Sequence, residues 1–354
     1  MGTRILVVGA RGVDGHEGGV EKFAEQLVRR RSPDDAITLV CLSGKKPRDF
    51  DNVEVVVAPA LRALKTDKLF YYLYAAWLAI SRKFDCVVLL GINSAAMIPL
   101  LLMKARTRPR IMVRSGSVDY TLKKWGWFAR FIFRQAEGFS RYADKVIAVS
   151  EDIQRHLSRR GIKSIVIRNG IGTGSSARIR NPSEHPFNVI AVGRVTPDKN
   201  YVTLIKAAAI LGPDYAFTIV GGGDLSGEKA RLEDLVKACG ITNVRFTGPV
   251  SRQRVEQLLQ GASLFVNCSI QEGMSNATLE AIEVGVPVIL SDIKANRELG
   301  LSNESFFEST SPEALADKIR SARAGLDRFI VPRRKIAQWD DVIKRFYDEL
   351  RQLQ

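Results

Sequence analysis

Sulfur and imidazole are scarce in this sequence, whose 354 residues include four cysteines and three histidines. Cys41, Cys86, Cys239 and Cys268 stand singly in or beside apolar runs with no Cys-x-x-Cys spacing, which excludes a disulfide-built scaffold. No secretory leader is read at the N-terminus, so a reducing cytoplasm is the expected compartment. Long hydrophobic runs are missing too. The strongest candidate, Cys86 to Met103, has 18 uncharged residues but is interrupted by Gly91, Asn93, Ser94 and Pro99, and reads as a buried strand, a turn and a helix. Internal repeats, low-complexity tracts and recognition modules for nucleic acid are also lacking, so no nucleic-acid partner is expected.

What is present is globular. A hydrophobic share of 45% is enough for sizeable cores, and the length fits two domains. The net charge of +15 is distributed unevenly. Residues 1–172 hold 30 Lys/Arg against 16 Asp/Glu, or +14, whereas residues 173–354 hold 23 against 22, or +1. One basic half joined to a neutral half points to an anionic partner for the first half alone.

Short β-branched runs alternate with amphipathic stretches through residues 1–171: 5–9, 37–43, 53–59, 86–91, 111–115, 145–150 and 164–170. Such runs predict a parallel sheet covered on both faces. Residues 172–186 are rich in Gly, Ser and Pro and read as a linker. The alternation restarts at 187–193 and continues through 216–222, 244–249, 263–269 and 287–292, so residues 187–330 form a second domain. The fold class is therefore α/β, with two doubly wound domains. Residues 331–354 carry Ile336, Trp339, Ile343, Phe346, Tyr347 and Leu350 at spacings of three and four, predicting a terminal helix that packs across the domain junction.

Several turns carry residues suited to chemistry. Gly9-Ala10-Arg11-Gly12-Val13-Asp14-Gly15 after the first strand, with Tyr120 and Lys124 as a Tyr-x-x-x-Lys pair, is compatible with a short-chain NAD(P)-dependent oxidoreductase. That reading lacks an acidic residue after the second strand, where Gly44, Lys45 and Lys46 stand. Gly18 and Gly19 immediately precede an amphipathic helix, an arrangement that admits a phosphate to backbone N–H groups; a plain helix cap is the simpler alternative. Arg194 and Lys199 bring two cations to one turn of a neutral domain, suiting a diphosphate, or merely solvating a turn. Glu272 and Glu280 straddle a Gly-containing loop and the helix after it. At 1.5 Å per residue they stand about 10 Å apart, suited to the two ends of an extended ligand. Ser275 and Asn276 are candidate caps of that helix.

The joint pattern of Glu272-x7-Glu280, Val192-Gly193-Arg194 with Lys199, the Gly18-Gly19 loop and Val220-Gly221-Gly222-Gly223-Asp224 resembles the retaining nucleotide-sugar glycosyltransferases of family 4, over nearly the whole chain. The resemblance implies GT-B architecture, two Rossmann-like domains facing a central cleft. It also implies metal-independent transfer of a hexose or deoxyhexose from a nucleoside-diphosphate sugar, with no cofactor. Carried over, Arg194 and Lys199 hold the donor diphosphate, Glu280 the ribose and Glu272 the transferred sugar, while Gly18 and Gly19 close over the phosphates. Gly222, Gly248, Gly273, Met274, Ser275 and Asn276 complete the donor site. The stretches Gly116 to Gly126 and Tyr142 to Lys145 are similar to bacterial capsule and O-antigen enzymes that include rhamnosyltransferases. Many members carry a His after the fifth strand; here Arg114-Ser115-Gly116 stands there, leaving His16 and Asp119 as candidates on the acceptor or sugar side. A nucleotide-sugar epimerase on the same fold is the alternative.

The N-terminal half is expected to take the acceptor. Lys123, Lys124, Trp125, Trp127, Arg130 and Arg134 mix cations with aromatics, as does the stretch from Leu69 to Ile80 between Lys65, Lys68, Arg82 and Lys83. Basic amphipathic helices bearing aromatics favour an anionic lipid interface, although helices packed on a sheet with cationic outer faces share that composition. With the +14 charge, the expectation is a peripheral protein on the inner face of the cell membrane, acting on a polyprenyl-diphosphate-linked glycan in surface polysaccharide synthesis.

Overall fold

The computed structural model describes residues 2–12, 18–42, 52–59, 67–103, 108–118, 126–172, 185–223 and 227–353. The chain forms two units, Met1–Asn169 with Trp339–Gln354, and Gly170–Gln338.

Within the described residues the first unit is built on a seven-stranded parallel sheet of order β3-β2-β1-β4-β5-β6-β7. The strands are β1 (Arg4–Val8), β2 (Ala36–Cys41), β3 (Val53–Val57), β4 (Cys86–Leu90), β5 (Arg110–Ser115), β6 (Lys145–Ala148) and β7 (Ile165–Val166). The helices are α1 (Gly19–Arg29), α2 (Asp67–Ser81), α3 (Ile98–Leu102), α4 (Trp127–Phe139) and α5 (Glu151–Arg159). Central strands such as Cys86–Leu90 are apolar throughout because both faces of a parallel sheet are covered, and every residue of β4 is buried. β1 pairs with β2 on one side, Arg4 opposite Ala36, and with β4 on the other, Ile5 opposite Cys86. The 18 uncharged residues 86–103 resolve into β4, a 3₁₀ segment at Ile92–Met97, and α3. Among the described residues no helix is long and apolar enough to cross a membrane.

The second unit carries a six-stranded parallel sheet of order β10-β9-β8-β11-β12-β13 among the described residues. Its strands are β8 (Phe187–Val192), β9 (Tyr215–Val220), β10 (Val244–Phe246), β11 (Leu264–Asn267), β12 (Val288–Ser291) and β13 (Phe306–Phe307). Its helices are α6 (Tyr201–Leu211), α7 (Glu228–Ala238), α8 (Arg252–Gln260), α9 (Asn276–Glu283), α10 (Lys294–Arg297) and α11 (Pro312–Ala324). One core, around Phe187, Phe217 and Leu204, lies beneath α6 and α11; another, around Phe265, Leu279 and Ile282, lies beneath α9.

The terminal segment departs from expectation. Rather than one helix from residue 331, the second unit runs to Gln338 and only then does α12 (Trp339–Arg351) begin, as part of the first unit. Its buried stripe, Trp339, Val342, Ile343, Phe346, Tyr347 and Leu350, joins the core that α1 lines with Phe23 and Leu27. Phe23 and Phe346 meet edge to face at 5.1 Å, and the Tyr347 hydroxyl donates to the Leu27 carbonyl at 3.1 Å. The periodicity fixed which face is apolar; the match in shape with Phe23 fixes where that face docks. The first unit also ends at Asn169 rather than at 171, and residues 173–184, most of the expected linker, lie outside the described residues.

Candidate active site

In the second sheet, β8 and β11 are neighbours, but the chain leaves β8 toward β9 on one side and returns at β11 on the other. The loops after these two strands flank a topological switch point, where open parallel sheets bind ligands at the carboxyl ends of their strands. Arg194 and Lys199 follow β8; Glu272 and the helix bearing Glu280 follow β11.

Backbone hydrogen bonds stitch these loops together. Gly193 N donates to Val220 O at 2.9 Å, Val195 N to Gly222 O at 3.1 Å, and Gly221 N to Gly248 O at 3.2 Å, which joins the loops after β8, β9 and β10. Gly221, at φ +135°, must be glycine: a Cβ there would lie 2.1 Å from the Gly193 carbonyl oxygen. Ile270 N donates to Asp198 O at 2.9 Å and brings the loop after β11 against the loop after β8.

That closure places the Lys199 ammonium against the Glu272 carboxylate, Nζ to Oε1 at 2.5 Å, with both side chains mostly buried. The Ser269 hydroxyl donates to the same Oε1 at 2.7 Å. Ser269 is itself held, its N donating to Asn267 Oδ1 at 2.9 Å and its carbonyl accepting from the Ser291 hydroxyl at 2.5 Å. The Asn267 amide donates to Ser275 Oγ at 3.0 Å and Thr278 Oγ1 at 3.2 Å. Ser275 Oγ accepts from Thr278 N at 3.3 Å, so Ser275 is the N-cap of α9, and Asn276 is the first residue of the helix rather than a second cap. A continuous buried network thus runs from β12 to the Lys199–Glu272 pair and fixes the start of α9.

Gly273 is buried, Met274 is half-buried against the Phe265 and Leu279 core, and Glu280 is half-buried on α9. Arg194 is exposed. Burial drives the Tyr201 phenol and the Cys268 thiol well above their ordinary pKa values, so both stay neutral at neutral pH. The structure therefore joins Lys199 to Glu272 directly, a contact the sequence reading assigned to neither. It adds Ser269 and Asn267, which that reading missed. Their signal is Ser and Asn crowding a turn, residue types that hydrogen-bond locally in place of regular structure.

In the first unit, Gly18 and Gly19 stand at the N-terminus of α1. A carboxylate from the first turn already lies there: Glu21 pairs with Arg11 at 2.9 Å, and a Cβ on Gly18 would fall 2.1 Å from Glu21 Oε2. Near the end of β5 stands Arg114, named from the sequence only as occupying the place of a histidine and given no role there. It is almost fully buried, stacks 3.8 Å from the centre of the Phe23 ring, and donates to Asn169 Oδ1 at 2.6 Å. Burial pushes its guanidinium down to about 9, and its Nε has no hydrogen-bond partner among the described residues. His16, Asp119, Tyr120, Lys123, Lys124 and Trp125 lie outside the described residues, as does Asp224. Trp127, Arg130 and Arg134 lie on α4. No cluster of three or more His, Cys, Asp or Glu side chains suited to a metal ion occurs among the described residues.

Residues 17–174 match the family model described as Glycosyltransferase Family 4, and residues 175–325 match Glycosyl transferases group 1. The chain is 30% identical over 150 residues to the Escherichia coli UDP-Gal:alpha-D-GlcNAc-diphosphoundecaprenol alpha-1,3-galactosyltransferase, covering 38% of each. It spans about half the length, or less, of the first curated relatives it matches. Its fold is similar to that of sucrose-phosphate synthase from Thermosynechococcus elongatus, with a TM-score of 0.81 at 20% identity and 99% of both chains covered. It is also similar to Anabaena HepE in complex with UDP and glucose, with a TM-score of 0.79 at 16% identity, covering 98% of this chain and 99% of that one.

Proposed function

We propose that this chain, a GT-B protein carrying a Glycosyltransferase Family 4 domain and a Glycosyl transferases group 1 domain, transfers a hexose or deoxyhexose from a nucleoside-diphosphate sugar with retention of configuration. The observation that carries the reading is the Lys199–Glu272 pair seated at the switch point of the second sheet, with Arg194 on the same loop as Lys199 and Glu280 on the helix that follows. The bond between the anomeric carbon and the diphosphate oxygen breaks with its electron pair on the leaving group. Arg194 and Lys199 stabilise the charge that develops there. Glu272, positioned by Lys199 and Ser269, contacts the transferred sugar, and Glu280 holds the ribose. The acceptor hydroxyl bonds the anomeric carbon, and its proton passes to the departing diphosphate oxygen.

The acceptor in this reading is a polyprenyl-diphosphate-linked glycan at the cytoplasmic face of the membrane, supported by the relative whose name includes a diphosphoundecaprenol-linked sugar. The cations take the place of a metal. The sequence also contains the triplet Asp49-Phe50-Asp51, outside the described residues, whose two carboxylates have the spacing of a metal-ligand pair. The test is incubation with UDP-, GDP- and dTDP-sugars, following nucleotide release and the anomeric configuration of the product by NMR, with and without EDTA. Release of one nucleotide, a product of unchanged configuration and full activity in EDTA are expected. No release from any donor would refute the transferase reading; inversion of configuration, or loss of activity in EDTA restored by Mg²⁺ or Mn²⁺, would refute the retaining or metal-free parts of it.

A further inference from the structure

We propose that the first unit docks on an anionic lipid bilayer through the exposed apolar faces of α2 and α4 together. Residues 62–139 contain 14 Lys/Arg against four Asp/Glu, or +10, so most of the +14 of the first half is concentrated in the segment carrying these two helices. On α2, Leu73, Trp77 and Ile80 recur at spacings of four and three on one face, all exposed, Trp77 by 59%. On α4, Trp127, Phe128 and Phe131 are exposed likewise, Trp127 by 81%. Both helices pack on the same 3₁₀ segment, Ile92–Met97. The C-terminal half of α4 is fixed to α5 by the fully buried Glu137, which meets His156 at 2.7 Å and Arg160 at 3.1 Å.

These exposures separate two explanations of the composition. A helix that merely lies on a sheet beneath a cationic surface buries its aromatics and exposes its cations. Here Trp77, Trp127, Phe128 and Phe131 face water, in a strongly basic segment. A soluble polyanion engages the charges but offers the aromatic rings nothing to enter. An anionic bilayer does both, attracting the cations to its surface and taking Trp and Phe into the interfacial layer. The proposal rests on the first unit alone and does not depend on the donor site.

The test is binding of the intact chain to vesicles of phosphatidylglycerol and phosphatidylcholine, against phosphatidylcholine alone. Expected are binding to the anionic vesicles only, weakening as salt rises, and quenching of tryptophan fluorescence by brominated lipid. Leu73→Ser, Trp77→Ser and Ile80→Ser combined should release the protein while leaving nucleoside-diphosphate affinity unchanged; because each side chain is only about half exposed, calorimetry should show a cooperative transition at a modestly lower temperature, marking a chain still folded. Lys83→Gln and Arg134→Gln should each weaken binding by about fivefold at low salt. Indifference to anionic vesicles at low salt, absence of quenching, or a serine variant that sediments like the wild type would overturn the proposal. So would a stable dimer in light scattering that the same serine variant dissolves, because a second copy would then cover the face. Nucleoside-diphosphate binding measured without vesicles reports on the donor site separately.

Discussion

Removing the Lys199 ammonium leaves the Glu272 carboxylate, whose side chain is 11% exposed, held by the Ser269 hydroxyl at 2.7 Å without its cation. Breaking a fully buried ion pair by deleting one partner costs about 3–5 kcal/mol, and an exposed pair is worth about 0–1. At side-chain exposures of 17% and 11% this pair lies between those limits, and Lys199→Ala should cost about 2 kcal/mol. The second unit spans Gly170–Gln338, for which a loss of that size lowers the melting temperature by about 4–8 °C. Adding Glu272→Gln removes the stranded charge, so the double variant should regain about 1–2 kcal/mol relative to the sum of the single changes. Turnover should not return with stability, because the diphosphate still lacks its cation. Calorimetry is the suitable assay: Trp77, Trp125, Trp127 and Trp339 all belong to the first unit, so tryptophan fluorescence does not follow the second. Additive stability losses, or a Lys199→Ala variant as stable as the wild type, would refute the claim that the pair holds the site together.

Acid sensitivity should have an identifiable component at Asp144. Burial alone raises its pKa, but the Arg108 fork at 2.8 and 3.0 Å, the Ile111 N–H at 2.8 Å and Arg110 outweigh burial and hold the carboxyl below its ordinary value. A depressed carboxyl contributes stability above its unfolded pKa of about 4, and that contribution is lost as pH falls through the lower folded value. Asp144→Asn should therefore destabilise by about 1–3 kcal/mol at pH 7 and flatten the acid limb in urea unfolding measured from pH 7 to 3; an unchanged limb would contradict this. The cysteines give a second check, because burial raises Cys41 and Cys86 to about 12 and Cys268 higher still. Native protein at pH 7.5 should show one rapidly reacting thiol, Cys239, and four in guanidinium, and a second fast thiol in the native state would refute the burial argument.

The sheets were legible because parallel strands buried on both faces are continuous apolar runs; 5–9 and 86–91 could be little else. β13 escaped notice because two residues, Phe306 and Phe307, are too short to show a period. The apolar stripe of α12 was legible, but its docking partner was not, since the contact with Phe23 joins opposite ends of the chain. In the site, the charged residues announced themselves by type and spacing. Ser269 did not, because a hydroxyl gains its role from the turn that aims it at Glu272. Arg114 was noted only as standing in place of a histidine after the fifth strand; its burial against Phe23 depends on a contact between distant parts of the chain that no local pattern carries.

The central claim is that the switch-point residues of the second unit hold a nucleotide-sugar donor, Glu280 at the ribose and Glu272 at the sugar. The most direct measurement is the calorimetric affinity of the free nucleoside diphosphate for wild type, Glu280→Gln and Glu272→Gln. The account predicts that Glu280→Gln weakens binding by about tenfold to a hundredfold, the worth of a hydrogen bond to a charged group. Glu272→Gln should leave that affinity nearly unchanged while slowing transfer, because a ligand without the sugar lacks its partner. Equal losses in both variants, or no binding of any nucleoside diphosphate by the wild type, would contradict the account.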